Sequence, residues 1–101
     1  MLSLLVALAL ASEGTDVLKP QWIFPPDYPS PLLARRAEGT VEFRLTFDAA
    51  GRVSACDIVK TSGAPLLDAT ACRLAARRAR AKNGEARVQL FRHTWTLPAE
   101  R

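Results

Sequence analysis

A chain of 101 residues with a net charge of +4 has room for one domain, so several independently folding units within these residues are excluded. Most of its 14 lysines and arginines lie in the second half, from Arg52 onward, so the basic character is uneven along the chain. Such a basic half is compatible with anionic lipid, nucleic acid or an acidic segment of another protein as the partner.

Residues 1–11 form a continuous apolar run without charge. The small residues Ala9 and Ala11 at its end are typical of a signal-peptidase site, which predicts cleavage between Ala11 and Ser12 and export of the remaining chain. The run is too short to span a bilayer as a helix, which needs about 20 apolar residues. A truncated membrane anchor and a buried N-terminal end are the alternative interpretations.

Residues 12–24 are predicted to be an extended leader, and residues 20–31 hold most of the seven prolines. Each proline removes a backbone donor and favours extended geometry in the residue before it, so this stretch is neither a helix nor a central strand. Trp22, Phe24 and Tyr28 sit among the prolines. We interpret the stretch as an extended arm whose aromatic side chains cover one end of the core; the alternative is a platform for a partner peptide.

A short helix followed by a hairpin comes next in the prediction. Ser30 is a good helix start, and Gly39 is expected to end the helix in the left-handed conformation. The alternation of apolar and polar residues over 41–47 indicates a strand with one buried face. Residues 48–51 have the Asp and Gly that a type I turn prefers, so residues 53–60 should pair back as a second strand.

A longer helix and a last strand complete the predicted fold. Residues 65–81 begin with a proline and carry apolar residues at three- and four-residue steps, which indicates an amphipathic helix ended by Asn83-Gly84. Residues 86–97 alternate again and predict the last strand. The buried face of the strands needs a lid that only this helix is long enough to supply. The expected fold is α+β: a small three-stranded antiparallel sheet backed by one long helix, with a short helix before it.

Cys56 lies on the second predicted strand and Cys72 on the helix that follows it. In an exported domain this small, a disulfide between them is the favoured interpretation, because it would stabilise a fold with a limited core. A metal site with His93 as a further ligand and a catalytic thiol are the alternatives. Free buried thiols become the default if residues 1–11 are not an export signal.

The sequence offers no arrangement typical of catalysis. His93 is the one histidine, and it lies in the last predicted strand without an oriented partner or a neighbouring cysteine motif. Asp48, Asp57 and Asp68 are interpreted as a turn former, a strand-surface residue and a helix-start residue. There is no phosphate loop and no metal-ligand spacing. We therefore expect a non-enzyme that uses no cofactor and no metal.

Several short motifs follow one another in a distinctive order. They are Tyr28-Pro29 before the short helix, Gly39-Thr40-Val41-Glu42-Phe43 at a strand start, Asp48-Ala49-Ala50-Gly51-Arg52-Val53 across the hairpin, Thr61-Ser62-Gly63, and Leu67-Asp68 with Ala71 in the long helix. Their order and spacing over residues 25–97 resemble the C-terminal domain of TonB-family proteins. The resemblance implies a domain over residues 25–101 with the helix-backed antiparallel sheet of that family.

The resemblance also implies a non-catalytic binding module of the periplasm. In that family the domain binds the extended TonB-box segment of outer-membrane transporters by adding it as a strand. The last strand would then be the edge that receives a peptide, with its arginines attracting acidic residues. The alternatives are a dimeric envelope scaffold, in which a sheet edge pairs with a second copy, and nucleic-acid binding by the helix, which export disfavours. The implied edge residues are Arg87, Val88, Gln89, Leu90, Phe91, Arg92, His93, Thr94 and Trp95.

Overall fold

The computed structural model describes residues 16–81 and 86–97. The predicted signal segment and its cleavage site between Ala11 and Ser12 lie outside these residues, as does Asn83-Gly84. No helix among the described residues is long and apolar enough to cross a membrane. The elements in chain order are β1 (Val17–Leu18), a 3₁₀ turn (Pro25–Asp27), α1 (Ser30–Ala34), β2 (Gly39–Phe47), β3 (Val53–Lys60), α2 (Pro65–Arg78) and β4 (Arg87–Trp95).

The strands form one four-stranded sheet in the order β1-β4-β2-β3. β2 is central and pairs antiparallel with both β3 and β4. The α+β prediction of a helix-backed sheet is confirmed, but the expected strand count was one too low. β1 is a two-residue strand, parallel to β4, in the part of the chain expected to be a leader. A strand this short has no hydrophobic periodicity to detect, since its order comes from pairing with a distant segment.

The core lies between the sheet and a layer made by α2 and the proline-rich arm. Alternate residues of β2 point into it, with Val41, Phe43 and Leu45 fully buried. α2 contacts β3 and β2, and its predicted apolar stripe supplies Leu67, Ala71, Leu74 and Ala75 to the core. Trp22 and Tyr28 of the arm cover β4 as predicted: the ring centroids of Trp22 and Phe91 lie 5.7 Å apart, and those of Tyr28 and Trp95 lie 5.4 Å apart. Phe24 does not join the core and stays 54% exposed.

Two local features fasten the hairpin and the long helix. The backbone N–H of Gly51 donates to the carbonyl of Asp48 at 2.9 Å, which closes the predicted turn between β2 and β3. Cys56 and Cys72 form the predicted disulfide, 16 positions apart, and this bond places the Cys56 side of β3 against α2. For a closed loop of this size the chain-entropy model gives about 3 kcal/mol of stabilisation.

Asp68 ties the start of α2 to the loop before it. Its carboxylate accepts hydrogen bonds from the backbone N–H of Ser62 at 3.0 Å, from the Ser62 hydroxyl at 2.7 Å and from the Thr61 hydroxyl. Burial raises the pKa of Asp68, but these hydrogen bonds outweigh burial and hold the pKa below the usual 3.8. The predicted helix-start residue therefore also anchors the loop.

Both helices end earlier than expected. α1 begins at Ser30 itself and ends after one turn at Ala34, and the left-handed residue behind it is Arg36, with φ 59°, rather than Gly39. Gly39 is required for space instead, because a Cβ there would lie 2.4 Å from the carbonyl oxygen of Ser62. α2 stops at Arg78 instead of residue 81. The chain then turns to pair with the β2–β3 hairpin: the N–H of residue 81 donates to the Gly51 carbonyl at 2.8 Å.

Candidate functional site

The outer edge of β4 is paired over only part of its length in the described structure. One side of β4 is fully paired with β2, from Gly39 opposite Trp95 to Phe47 opposite Arg87. On the other side, β1 pairs only with Leu90 and Phe91. In the described part of the chain, the outer side of residues 92–95 has no strand partner. We call this stretch of β4 the open half of the edge.

β1 is lightly held on this edge. Val17 lies opposite Leu90 and Leu18 opposite Phe91 in a parallel register, and the Gln89 side-chain amide donates to the carbonyl of Asp16 at 2.7 Å. The side chains of β1 contribute little to the core, since Val17 is 37% exposed and Leu18 is 43% exposed. Two residues provide only about one or two ladder hydrogen bonds, each with a net value of about 0.5–1.5 kcal/mol.

The arm anchors the chain immediately after β1. Pro20 is buried, and Trp22 packs edge-on against both Phe43 and Phe91. Arg78 at the end of α2 donates to the carbonyl of Trp22 at 2.8 Å and forms an ion pair with Asp27, also at 2.8 Å. This hydrogen-bonded guanidinium is the main reason that the pKa of Asp27 lies below 3.8. β1 can therefore leave the edge without releasing the arm.

Two cavities border the open half. The first has a volume of about 230 Å³ and lies between β4 and the arm, with no lining residue from β2 or α2. The second, of about 380 Å³, lies where β1 ends, between residues 17–19 and residues 92–94. His93 and Thr94 line both. The walls of the first cavity are formed by Ile23, Phe24, Pro25, Tyr28, His93, Thr94, Trp95, Thr96 and Leu97.

The surroundings of His93 favour the neutral form of its imidazole. Its pKa is lowered below 6.5, first by burial and second by the positive charge of Lys19, while Asp27 acts weakly in the opposite direction. The ring packs edge-on against Trp95 with centroids 4.6 Å apart. His93 is thus a packed wall residue of the first cavity in the described structure. No group of residues suited to holding a metal ion occurs among the described positions.

The residues predicted for the edge fall into two sets. Gln89, Phe91, His93 and Trp95 point to the side of the sheet that carries the arm, where Phe91 and Trp95 are buried. Arg87 lies at the start of β4. Arg92 lies on the other side of the sheet, where it forms an ion pair with Glu42 at 2.8 Å. The charge of Arg92 is therefore shared with a neighbouring strand, which weakens the expected attraction for acidic partners. The remaining residues, Val88, Leu90 and Thr94, alternate with the first set along β4.

Sequence reasoning missed the contributions of the arm to this site. Phe24, 54% exposed, forms a wall of the first cavity. Arg78, at the end of α2, fixes the arm through its ion pair with Asp27. Neither role has a local sequence signal, because both depend on contacts between residues more than fifty positions apart. The proline and aromatic content of residues 20–31 was the only indication that this stretch would matter.

The opposite edge of the sheet, β3, differs from β4. Its pairing with β2 has register shifts between Glu42 and Phe43 and between Thr46 and Phe47, and it ends in an exposed lysine, Lys60. Bulges and edge lysines are devices by which proteins discourage the addition of further strands. In the described residues, β4 is thus the edge better suited to receiving a strand.

Comparison with known proteins gives a consistent identification. The family model of the Gram-negative bacterial TonB protein C-terminal matches residues 25–96, well over half of the chain. The chain belongs to the TonB C-terminal family. Among solved structures it is similar to the NMR solution structure of the Helicobacter pylori TonB C-terminal domain, with a TM-score of 0.56, 22% identity, and coverage of 72% of this chain and 70% of that one. No curated protein matches the sequence.

The family has a known general class. TonB C-terminal domains are non-enzymatic protein-interaction modules linked to transport across the bacterial envelope. The similarity to the H. pylori structure supports the fold, including the helix-backed sheet, and the resemblance noted in the sequence is confirmed. The TonB C-terminal domain described here contains the Cys56–Cys72 disulfide and the short parallel strand β1.

Proposed function

We propose that this TonB C-terminal domain acts in the periplasm and binds an extended peptide of an envelope protein by strand addition at the outer edge of β4. The observation that carries the proposal is β1: the chain's own Val17–Leu18 is already added to this edge as a parallel strand. An edge that accepts one extended segment has its N–H and C=O groups oriented to accept another. Main-chain hydrogen bonds would provide much of the affinity.

Peptides of different lengths would occupy different parts of the outer edge of β4. A short segment pairs with residues 92–95, where the edge is open in the described structure. A longer segment extends towards Leu90 and Phe91 and must replace Val17–Leu18 there. The anchor at Pro20 and Trp22 keeps this exchange local, so the core of the domain is not disturbed.

Nuclear magnetic resonance with backbone amide assignments tests this proposal. Synthetic TonB-box segments of outer-membrane transporters are titrated into the domain; amides of residues 90–95 should shift, whereas those of β3 should not. The matched control is the same peptide methylated at alternate backbone nitrogens, which keeps its side chains but removes its ladder donors. Equal binding of the methylated and unmethylated peptides, or shifts confined to β3, would show that strand addition at β4 is wrong.

Export is tested separately by the intact mass of protein from a periplasmic extract, with and without reduction. A product beginning at Ser12, lighter by the two hydrogens of a disulfide before reduction, is the expected result. Full-length protein recovered from the cytoplasm with free thiols would contradict the periplasmic assignment.

A second candidate function is a dimeric scaffold in the envelope. It is favoured by the exposure of β3, where Ile58 is 39% and Val59 is 49% exposed along the outer strand. Pairing of β3 with its copy would extend the sheet across two molecules. Light scattering over a range of protein concentrations decides this point: a monomeric mass throughout eliminates the scaffold, and a dimer that Val59→Lys dissociates supports it.

A further inference from the structure

We propose that the cavity of about 230 Å³ between β4 and the arm binds one bulky apolar side chain of the peptide that adds to this edge. The occupant is aromatic or branched aliphatic, and the cavity would set the sequence preference of the domain. This inference rests on the proposed strand addition, but it concerns side-chain recognition, which main-chain pairing alone does not provide.

The position of the cavity follows from strand geometry. Residues directly opposite each other on paired strands direct their side chains to the same face, about 4.5–5.5 Å apart. A peptide residue opposite His93 or Trp95 therefore projects onto the face that carries the arm. The lining residues come from β4, from the two residues that follow it and from the arm, and none comes from β2. We infer that the cavity opens towards the outer side of β4, where the added strand would run.

The size and chemistry of the cavity select one apolar group. A dry cavity of about 150 Å³ accepts a benzene-sized ring, and this one, at about 230 Å³, is large enough for a single phenyl or indole ring. Ile23, Tyr28 and Trp95 give it apolar walls, and the neutral imidazole of His93 adds no charge. Phe24, 54% exposed in the free domain, would lose water-exposed surface when the cavity is filled.

Contacts of the arm fix the shape of the cavity in the free domain. Tyr28 donates its hydroxyl proton to the carbonyl of Ala37 and packs on Trp95, while Asp27 is paired with Arg78. These contacts hold one wall against the core, so a ligand side chain would not have to order it. A preformed site of this kind avoids part of the entropy loss of binding.

Two capped peptides of the sequence Glu-Thr-Thr-X-Thr-Thr-Glu, with X either Phe or Ala, test the proposal by amide chemical-shift titration. Threonine supplies strand propensity without another bulky apolar group. The Phe peptide should bind at least about tenfold more tightly, from the value of burying an aromatic side chain. It should also shift amides of residues 23–25 and the indole N–H of Trp95, which has no acceptor among the described residues.

Variants of the domain locate the preference. Phe24→Ala removes a cavity wall whose ring lies outside the core cluster and 6.0 Å from the Arg78 guanidinium, and it should reduce the Phe-to-Ala preference towards unity. Leu33→Ala truncates another exposed apolar side chain, 37% exposed against 54% for Phe24, outside the cavity and should leave the preference unchanged. Toluene, which carries only the side chain, should compete with the Phe peptide for the cavity signals.

The outcomes separate this inference from the function on which it rests. If both peptides shift the amides of residues 92–95 with equal affinity, strand addition stands and the side-chain site is wrong. If neither peptide shifts those amides but toluene shifts residues 23–25 and Trp95, the cavity binds apolar groups and strand addition is wrong. If toluene and both peptides leave these signals unchanged, both proposals are overturned.

Discussion

Replacing Val17 and Leu18 together by proline should strengthen the binding of a long peptide to β4. β1 occupies the edge opposite Leu90 and Phe91, so it competes with any peptide that extends over these residues. Proline has no backbone donor, and two prolines remove the ladder hydrogen bond whichever residue of β1 donates it. The change lies before the anchored arm and outside the core.

The magnitude follows from what β1 contributes. One or two ladder hydrogen bonds have a net value of about 0.5–1.5 kcal/mol each, and two side chains that stay more than a third exposed add little. At the central value of about 1 kcal/mol for each bond, the ladder holds the segment by about 1–2 kcal/mol. Removing a competitor of that strength raises the apparent affinity about 5- to 30-fold. The same change lowers the free energy of unfolding by a similar amount.

Isothermal titration calorimetry with a TonB-box peptide, together with urea unfolding, measures both effects. Tighter binding combined with lower stability is the expected pattern, since the folded protein loses a contact that the peptide then replaces. Val17→Ala with Leu18→Ala is the matched control: it keeps the backbone donors and should produce only a small change. Unchanged or weaker peptide binding in the proline variant, with the expected loss of stability, would refute the competition argument.

Three further predictions concern the scaffold. Asp68→Ala should lower the free energy of unfolding by about 2–3 kcal/mol, because Thr61 and Ser62 lose a charged acceptor; equal urea midpoints would contradict this. Gly39→Ala should destabilise the domain by about 1–3 kcal/mol, since a Cβ meets the Ser62 carbonyl, and a thermal melt measures it. Because the pKa of His93 is lowered in the folded state, stability should fall as pH decreases below 6.5. His93→Gln should lose that part of the pH dependence, and an unchanged profile would show that His93 is not its source.

Local signals made much of this fold predictable. The alternation over residues 41–47, the Asp and Gly of the hairpin turn and the apolar stripe of α2 each depend on residues close in sequence. The disulfide was predictable because Cys56 and Cys72 fall on neighbouring elements whose faces the packing brings together. The order of these elements also carried the family resemblance, which the family model confirms.

The features that the sequence did not predict all depend on contacts between residues that lie far apart in the chain. β1 exists only because residues 16–18 meet a strand more than seventy positions away. α2 ends at Arg78 because the next residues bond to the β2–β3 hairpin, although their helix propensity would allow another turn. The cavity is formed by an arm whose path is set by Trp22 and by its hydrogen bond from Arg78. The periodicity of apolar residues in the sequence does not indicate such pairings.

The two edges of the sheet differ in a way that favours exchange at one of them. β3 is bonded to α2 through Cys56 and Cys72, so a partner at that edge meets a strand fixed to the core. β4 is fixed by β2 on one side, while among the described residues its other side is paired only where β1 lies. A strand that replaces β1 gains the ladder bonds that β1 gives up, so the net number of main-chain hydrogen bonds need not fall at Leu90 and Phe91. The net gain in binding free energy of the peptide over β1 must then come from contacts with residues 92–95 and with the adjoining cavity. Selectivity among peptides should therefore follow the side chain that enters this cavity more closely than the residues that replace β1.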